Sequence, residues 1–196
     1  MSDQLDIVPD SEIEPIGPVS FAFLDRDAAT VRAAFQQVWR LPYARNADPG
    51  DPLAPLLEGR GTCSTKHALL ALLLEEQDLD GELRLGIYEM CEANTPGVGA
   101  TLATHGMDAI PEAHCYLLLE GRRIDVTRLD GQGTKPISSF LYEEAIDPED
   151  IGDYKRTLHR RFLDAWAIEN DLASLTGAEL WAVREACIEA LAAAAR

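Results

Sequence analysis

Three residues far apart in the sequence have the types needed for nucleophilic catalysis: Cys63, His114 and Asp125. A thiol becomes a strong nucleophile when it ionises, an imidazole can take its proton, and a carboxylate can hold that imidazole in one tautomer. Cys63 lies in GRGTCSTKHALLALLLEE, where a loop runs into a strongly apolar segment. At the head of a helix a cysteine meets unpaired N–H groups and the positive end of the peptide dipoles. With a basic partner, that position lowers a thiol pKa from about 8.5 into roughly the 3.5–7.5 range. Gly59 and Gly61 let the preceding loop turn tightly and let a substrate approach the backbone. The Cys63 N–H is then a natural oxyanion donor.

The base and its orienter come from HCYLLLEGRRIDVT, which reads as a hairpin turning at Glu120-Gly121. A two-residue turn sets Leu119 against Arg122, Leu117 against Ile124 and Tyr116 against Asp125. Cys115, Leu117, Leu119, Ile124 and Val126 then share one apolar face, and His114 and Asp125 become diagonal neighbours on the other. A three-residue turn breaks the apolar set, so the pattern favours the register that pairs histidine with aspartate.

Two neighbours of the cysteine complicate the site. His67 is one helical turn along on the same face and leans back toward the helix start, within reach of a thiolate or substrate. Lys66 is a candidate contact for an acidic substrate group, although exposure to solvent is its default expectation. Zinc is a competing chemistry, with Cys63, His67, His114 and Cys115 as the available ligands. Adjacent strand residues point to opposite faces, so His114 and Cys115 cannot share one ion, and no metal or cofactor is expected. A third reading keeps the fold as a catalytically inactive binding module. His105 and His159 stand isolated.

The elements that must position these residues follow from periodicity. LDRDAATVRAAFQQVWRLPY is expected to be a helix capped by Asp25 or Asp27, with Val31, Phe35 and Val38 or Trp39 as its buried stripe and Pro42 as its stop. The helix from Cys63 to about Gln77 is apolar nearly all round, which predicts the central buried helix. ELRLGIYEM alternates as a strand. Residues 92–113 read as a long loop, with a strand beginning at His114. Two C-terminal helices are expected. One carries Tyr154, Leu158, Phe162 and Trp166 at four-residue steps; the other opens on a Thr176/Glu179 capping box and buries Leu180, Val183, Cys187 and Leu191. Residues 1–18 show no periodicity and are expected to form a flexible acidic tail. The remainder, 19–196, is expected to be a single domain with its core at about 27–130 and a helical extension at 139–196.

Composition excludes several function classes. The chain has 196 residues, 46% of them hydrophobic, enough for a substantial core. A net charge of −17, from 34 acidic and 17 basic residues, argues against nucleic acid and anionic membranes as partners. The one basic cluster, YKRTLHRR, reads as a solvated helix face. The sequence holds no membrane-length apolar run and opens without a secretory h-region, so a cytoplasmic location is the default, with Cys63, Cys91, Cys115 and Cys187 as free thiols.

Taken together, GRGTCSTKHALLALLLEE, AHCYLLLEGRRIDVT and the upstream VWRLPYARNADP resemble the transglutaminase-like cysteine protease superfamily in order, spacing and local structure. The resemblance covers roughly Phe35 to Thr127. It implies an α+β fold with a papain-like core, an antiparallel sheet packed on a Cys-bearing helix, and here additional C-terminal helices. It also implies Cys63 as nucleophile, His114 as base and Asp125 as orienter, acting on an amide or related acyl bond in a small molecule or peptide. Arylamine acetyltransferase-like acyl transfer uses the same triad order. Tyr116 stands where the family has an aromatic two residues after the histidine, and with Lys66 and His67 it completes the expected substrate site. The chain departs from the family in DVT for the usual Asp-Pro-Thr and in the CSTKH continuation, so neither the substrate nor the choice between hydrolysis and transfer follows. The oligomeric state does not follow either.

Overall fold

A computed structural model describes residues 3–128, 137, 139–170 and 175–194. Residues 1–2 of the expected tail, 129–130 of the expected core and parts of the expected extension lie outside them. The fold is α+β, with a four-stranded antiparallel sheet of order β3-β2-β1-β4. The strands are β1 (Glu82–Cys91), β2 (Ala109–Leu119), β3 (Arg122–Ile124) and β4 (Tyr142–Ala145). The chain forms two compact units. One comprises Met1–Leu85, Cys115–Gln132 and Glu144–Gly152; the other comprises Gly86–His114, Gly133–Glu143 and Asp153–Arg196.

The first unit is organised around α4 (Cys63–Glu76), which is buried on nearly every side. Against it pack α1 (Pro18–Leu24), α2 (Val31–Arg40), α3 (Ala54–Glu58) and a 3-10 turn at Pro148–Ile151. The far end of α4 also completes α1: the Glu76 carboxylate accepts from the Val19 and Ser20 N–H groups at 2.9 and 2.6 Å. A Cβ at Gly17 would collide with that carboxylate, so the glycine leaves room for its two bonds. Thr30, not Asp25 or Asp27, caps α2 through a bond from the Ala33 N–H. Asp25 ends α1 and Asp27 sits at a positive φ in the turn after it, so the expected single helix is two. The stripe of Val31, Phe35, Val38 and Trp39 is buried as expected.

The segment expected to be a tail is packed. Leu5, Val8 and Ile13 are all buried, and Ile13 N–H and Val31 N–H pair with the Ala29 and Ser11 carbonyls. A segment held by single apolar anchors and backbone bonds has no period, and its sequence carries no local sign of its packing.

The β2–β3 hairpin has the expected register, with Leu117 opposite Ile124 and Leu119 opposite Arg122. Glu120 and Gly121 both lie at positive φ (50° and 71°), as a two-residue hairpin turn with the right twist demands. Cys115, Leu117, Leu119, Ile124 and Val126 are buried together.

In the second unit α5 (Gly99–Thr104) and α7 (Gly177–Ala194) pack together, as do α6 (Asp153–Glu169) and α7. The Thr176/Glu179 box opens α7 as expected, and Leu180, Val183, Cys187 and Leu191 are buried. The α6 face is rotated by one residue from expectation: His159, Leu163 and Ala167 are buried while Tyr154 is exposed. His159 is not isolated, because its Nε2 bonds the Pro111 carbonyl at 2.8 Å and its ring meets Trp181 edge-on. β2 begins at Ala109, not His114, and α5 occupies part of the expected loop. Pro111 and Glu112 disguised this strand. Glu112 is buried because Arg184 grips its carboxylate with two guanidinium nitrogens. Burial pushes Glu112 up, but the Arg184 charge and hydrogen bonds outweigh it, and the carboxyl stays below its usual range.

Arg184→Met strands the Glu112 charge, and urea unfolding should show a loss of about 3–5 kcal/mol at pH 7. Because Glu112 is depressed in the folded state, the pair's contribution is present above the unfolded carboxyl value of about 4.3 and fades as pH falls through the folded one. The variant and the parent protein should therefore converge in stability only once the pH has fallen through the folded Glu112 value.

Candidate active site

Cys63 is the first residue of α4 and is 7% exposed. The helix mouth is rigidly built. Thr62 and Thr65 satisfy each other's backbone N–H groups, and the Thr65 hydroxyl donates to Asn46 Oδ1 at 2.8 Å. Asn46 in turn donates to the Arg60 carbonyl. Gly61 is required here, since a Cβ would meet Lys66 Cγ at 2.9 Å and Thr65 Oγ1 at 3.1 Å. The thiol thus sits where a helix offers positive potential, with little freedom in the backbone that carries it.

One turn inward, Lys66 is fully buried, contrary to the expected exposure. Its ammonium donates to the carbonyls of Leu41 (2.6 Å), Thr127 (3.0 Å) and Val126 (3.4 Å). Three donors meet three acceptors, which suits the charged form. Burial pushes this lysine down to about 8, with Asp125 and then Cys63 holding it up and Arg128 opposing them.

His67 is also fully buried, and both ring nitrogens are engaged. The Val126 N–H donates to Nε2 at 2.9 Å, so Nε2 carries no proton. Nδ1–H then donates to the Cys63 carbonyl at 2.7 Å. The 3.8 Å approach of Asp125 Oδ1 to Nε2 is therefore a contact with a neutral ring rather than an ion pair. His67 ties the Cys63 carbonyl to the Val126 N–H.

Consecutive residues of α4 thus hold both backbone groups of Val126, and a second device holds Asp125. The Gln4 side-chain amide donates to the Asp125 carbonyl at 3.0 Å and accepts from the Asp125 N–H at 3.1 Å. Asp125 Oδ1 accepts from the Thr127 N–H at 2.9 Å. Gln4 was missed because it lies in a segment without periodicity, 121 residues away.

Cys63, Lys66, His67 and Asp125 belong to the first unit, whereas His114 belongs to the second, where it is 7% exposed and faces the Tyr88 ring edge-on at 6.2 Å. Tyr116 is buried, with the Arg123 guanidinium 4.3 Å above its ring. Lys66, His67 and Tyr116, expected to touch substrate, are thus enclosed within the protein. Among the described residues no group of three or more His, Cys, Asp or Glu side chains is arranged to hold a metal ion, and no helix is long and apolar enough to cross a membrane.

Comparison with family models, curated proteins and solved structures returns no match.

Two outcomes are expected from this geometry. Gln4→Ala should lower stability by about 1–2 kcal/mol in urea unfolding, because both of its bonds to Asp125 are partly buried. For Lys66 the sign is opposite to that of a carboxylate. Its folded value of about 8 lies below the unfolded lysine value, so the buried charge costs stability below about pH 8. That cost is relieved as pH rises toward about 10.4, where the unfolded chain also deprotonates. Relative to Lys66→Met, the parent protein should gain about 3 kcal/mol between pH 7 and pH 10.5.

Proposed function

We propose that this chain is a cysteine-dependent hydrolase or acyltransferase acting on an amide or related acyl bond, built on the plan of the transglutaminase-like superfamily. One observation carries the reading: Cys63 is the first residue of a 14-residue buried helix whose first turn is held by the Thr62/Thr65 pair and Asn46. The two-residue turn at Glu120-Gly121 supports the roles of His114 and Asp125, because it sets the register from which their pairing was expected.

In this mechanism the Cys63 proton passes to the His114 imidazole, whose tautomer Asp125 fixes. The thiolate attacks the acyl carbon, and the oxyanion is received by N–H groups at the α4 mouth. The C–N or equivalent bond breaks, the leaving group takes the proton from His114, and Cys63 is left acylated. Water or an amine then attacks the thioester, gives its proton to His114, and releases the acid or the transferred product. The substrate is a small molecule or peptide carrying an acyl group, and the strongly acidic chain fits a cytoplasmic enzyme that does not bind nucleic acid.

The near-complete burial of Cys63 favours one second reading, a binding module that keeps the fold without turnover.

Iodoacetamide labelling at pH 6.5 with peptide mapping separates the two. As an enzyme, the folded protein should label Cys63 before Cys91, Cys115 and Cys187, and His114→Ala should slow that labelling at least tenfold. Asp125→Asn should leave the fold intact and reduce turnover of an activated acyl ester by about a hundredfold or more. Preferential labelling of another cysteine, or no effect of His114→Ala, removes the enzyme reading.

A further inference from the structure

The proposed mechanism leaves the buried charge of Lys66, in the same unit as Cys63, unused. We propose that Lys66 is a positioning residue for Cys63: its ammonium, caged by the Leu41, Val126 and Thr127 carbonyls one turn inside the helix mouth, supplies a fixed positive charge that favours the Cys63 thiolate. This rests on the reading of Cys63 as a nucleophile and adds the source of its ionisation.

Four observations converge. Cys63 and Lys66 are three apart on one helix, so their side chains share a face. Lys66 is fully buried, and among the described residues no carboxylate forms an ion pair with it. A buried cation whose hydrogen bonds all go to neutral carbonyls is stabilised by any anion that forms nearby, and by reciprocity it stabilises that anion. Asp125 and Cys63 are the two groups whose negative forms act on Lys66 through space and favour its charge, with Arg128 opposing them. Finally, the alternative cation on the same helix is excluded: His67 accepts the Val126 N–H on one nitrogen and donates to the Cys63 carbonyl with the other, which leaves it neutral.

The residue type is informative too. The sequence contains 14 arginines and only three lysines, Lys66, Lys135 and Lys155. A compact ammonium with three rotatable donors fits a three-carbonyl cage, whereas a planar guanidinium with five donors does not. The same cage gives Lys66 a second effect. Two of its acceptors are the carbonyls directly after Asp125, so the charge that favours the thiolate also fixes the backbone that carries the expected orienter of His114.

Two coupled titrations test this. In the first, the pH dependence of Cys63 alkylation by iodoacetamide is compared between the parent protein and Lys66→Met, with circular dichroism confirming the fold. The apparent thiol pKa should rise by at least one unit, which makes labelling at pH 6.5 about tenfold slower. A mere packing role for Lys66 leaves that pKa unmoved. In the second, which does not depend on the Lys66 variant folding, the side-chain NMR signals of isotopically labelled lysine are titrated from pH 6 to 10.5. Lysine-to-arginine variants at positions 135 and 155 identify the Lys66 signal by elimination. Cys63→Ala removes the thiolate and should lower the Lys66 pKa by half a unit or more, because the coupling is mutual.

An unchanged Lys66 titration in Cys63→Ala, or an unchanged thiol titration in folded Lys66→Met, overturns the inference. The two proposals fail differently. Loss of the His114→Ala effect with the coupling intact removes the enzyme reading alone, while retention of that effect without coupling removes the role of Lys66 alone.

Discussion

The first unit depends on how one buried ammonium is accommodated. Lys66 brings a full charge into the centre of the unit without a carboxylate at hydrogen-bond distance, so the chain must aim backbone carbonyls at it. Those carbonyls come from two separate stretches, Leu41 after α2 and Val126–Thr127 after β3. The requirement therefore ties the end of one helix and the exit of a hairpin to the same turn of α4. His67 adds the complementary bond to Val126, so that stretch has both its donor and its acceptor supplied by α4. Gly61 follows from the same demand, because the lysine stem occupies the space its Cβ would need.

Around this centre, the parts of the fold that obey local rules were legible in the sequence. The α4 helix announced itself by an apolar run too dense for a surface helix. The hairpin announced itself by a single register that keeps Leu117, Leu119 and Ile124 on one face. The Thr176/Glu179 box marked the start of α7. Each is a short-range pattern whose partners lie within a few residues or directly across a turn.

What was not legible depends on distant partners. Glu112 looks like a loop residue until Arg184 is placed beside it, and the strand from Ala109 to Ala113 was lost with it. Lys66 looks like a surface lysine until three carbonyls converge on it. On α6 the apolar row is Tyr154, Leu158, Phe162 and Trp166, yet the buried face lies one residue on, at His159, Leu163 and Ala167. That face is held by the Pro111 carbonyl and Trp181, which engage His159. The candidate site shows the same division: a helix-start cysteine is visible in sequence, while Gln4, which grips the backbone of Asp125, carries no local signal at all.

The Gln4 clasp has a consequence for how the chain is made. Its two partners are separated by 121 residues, and translation proceeds at about 5–20 residues per second. Gln4 therefore precedes Asp125 off the ribosome by roughly 6–24 s, far longer than the microseconds in which a hairpin forms. Throughout that interval the segment around Leu5 and Val8 lacks the strand on which its last contacts depend. The clasp thus closes late, after β3 has been synthesised, and the backbone of Asp125 acquires its final support near the end of the assembly of the first unit.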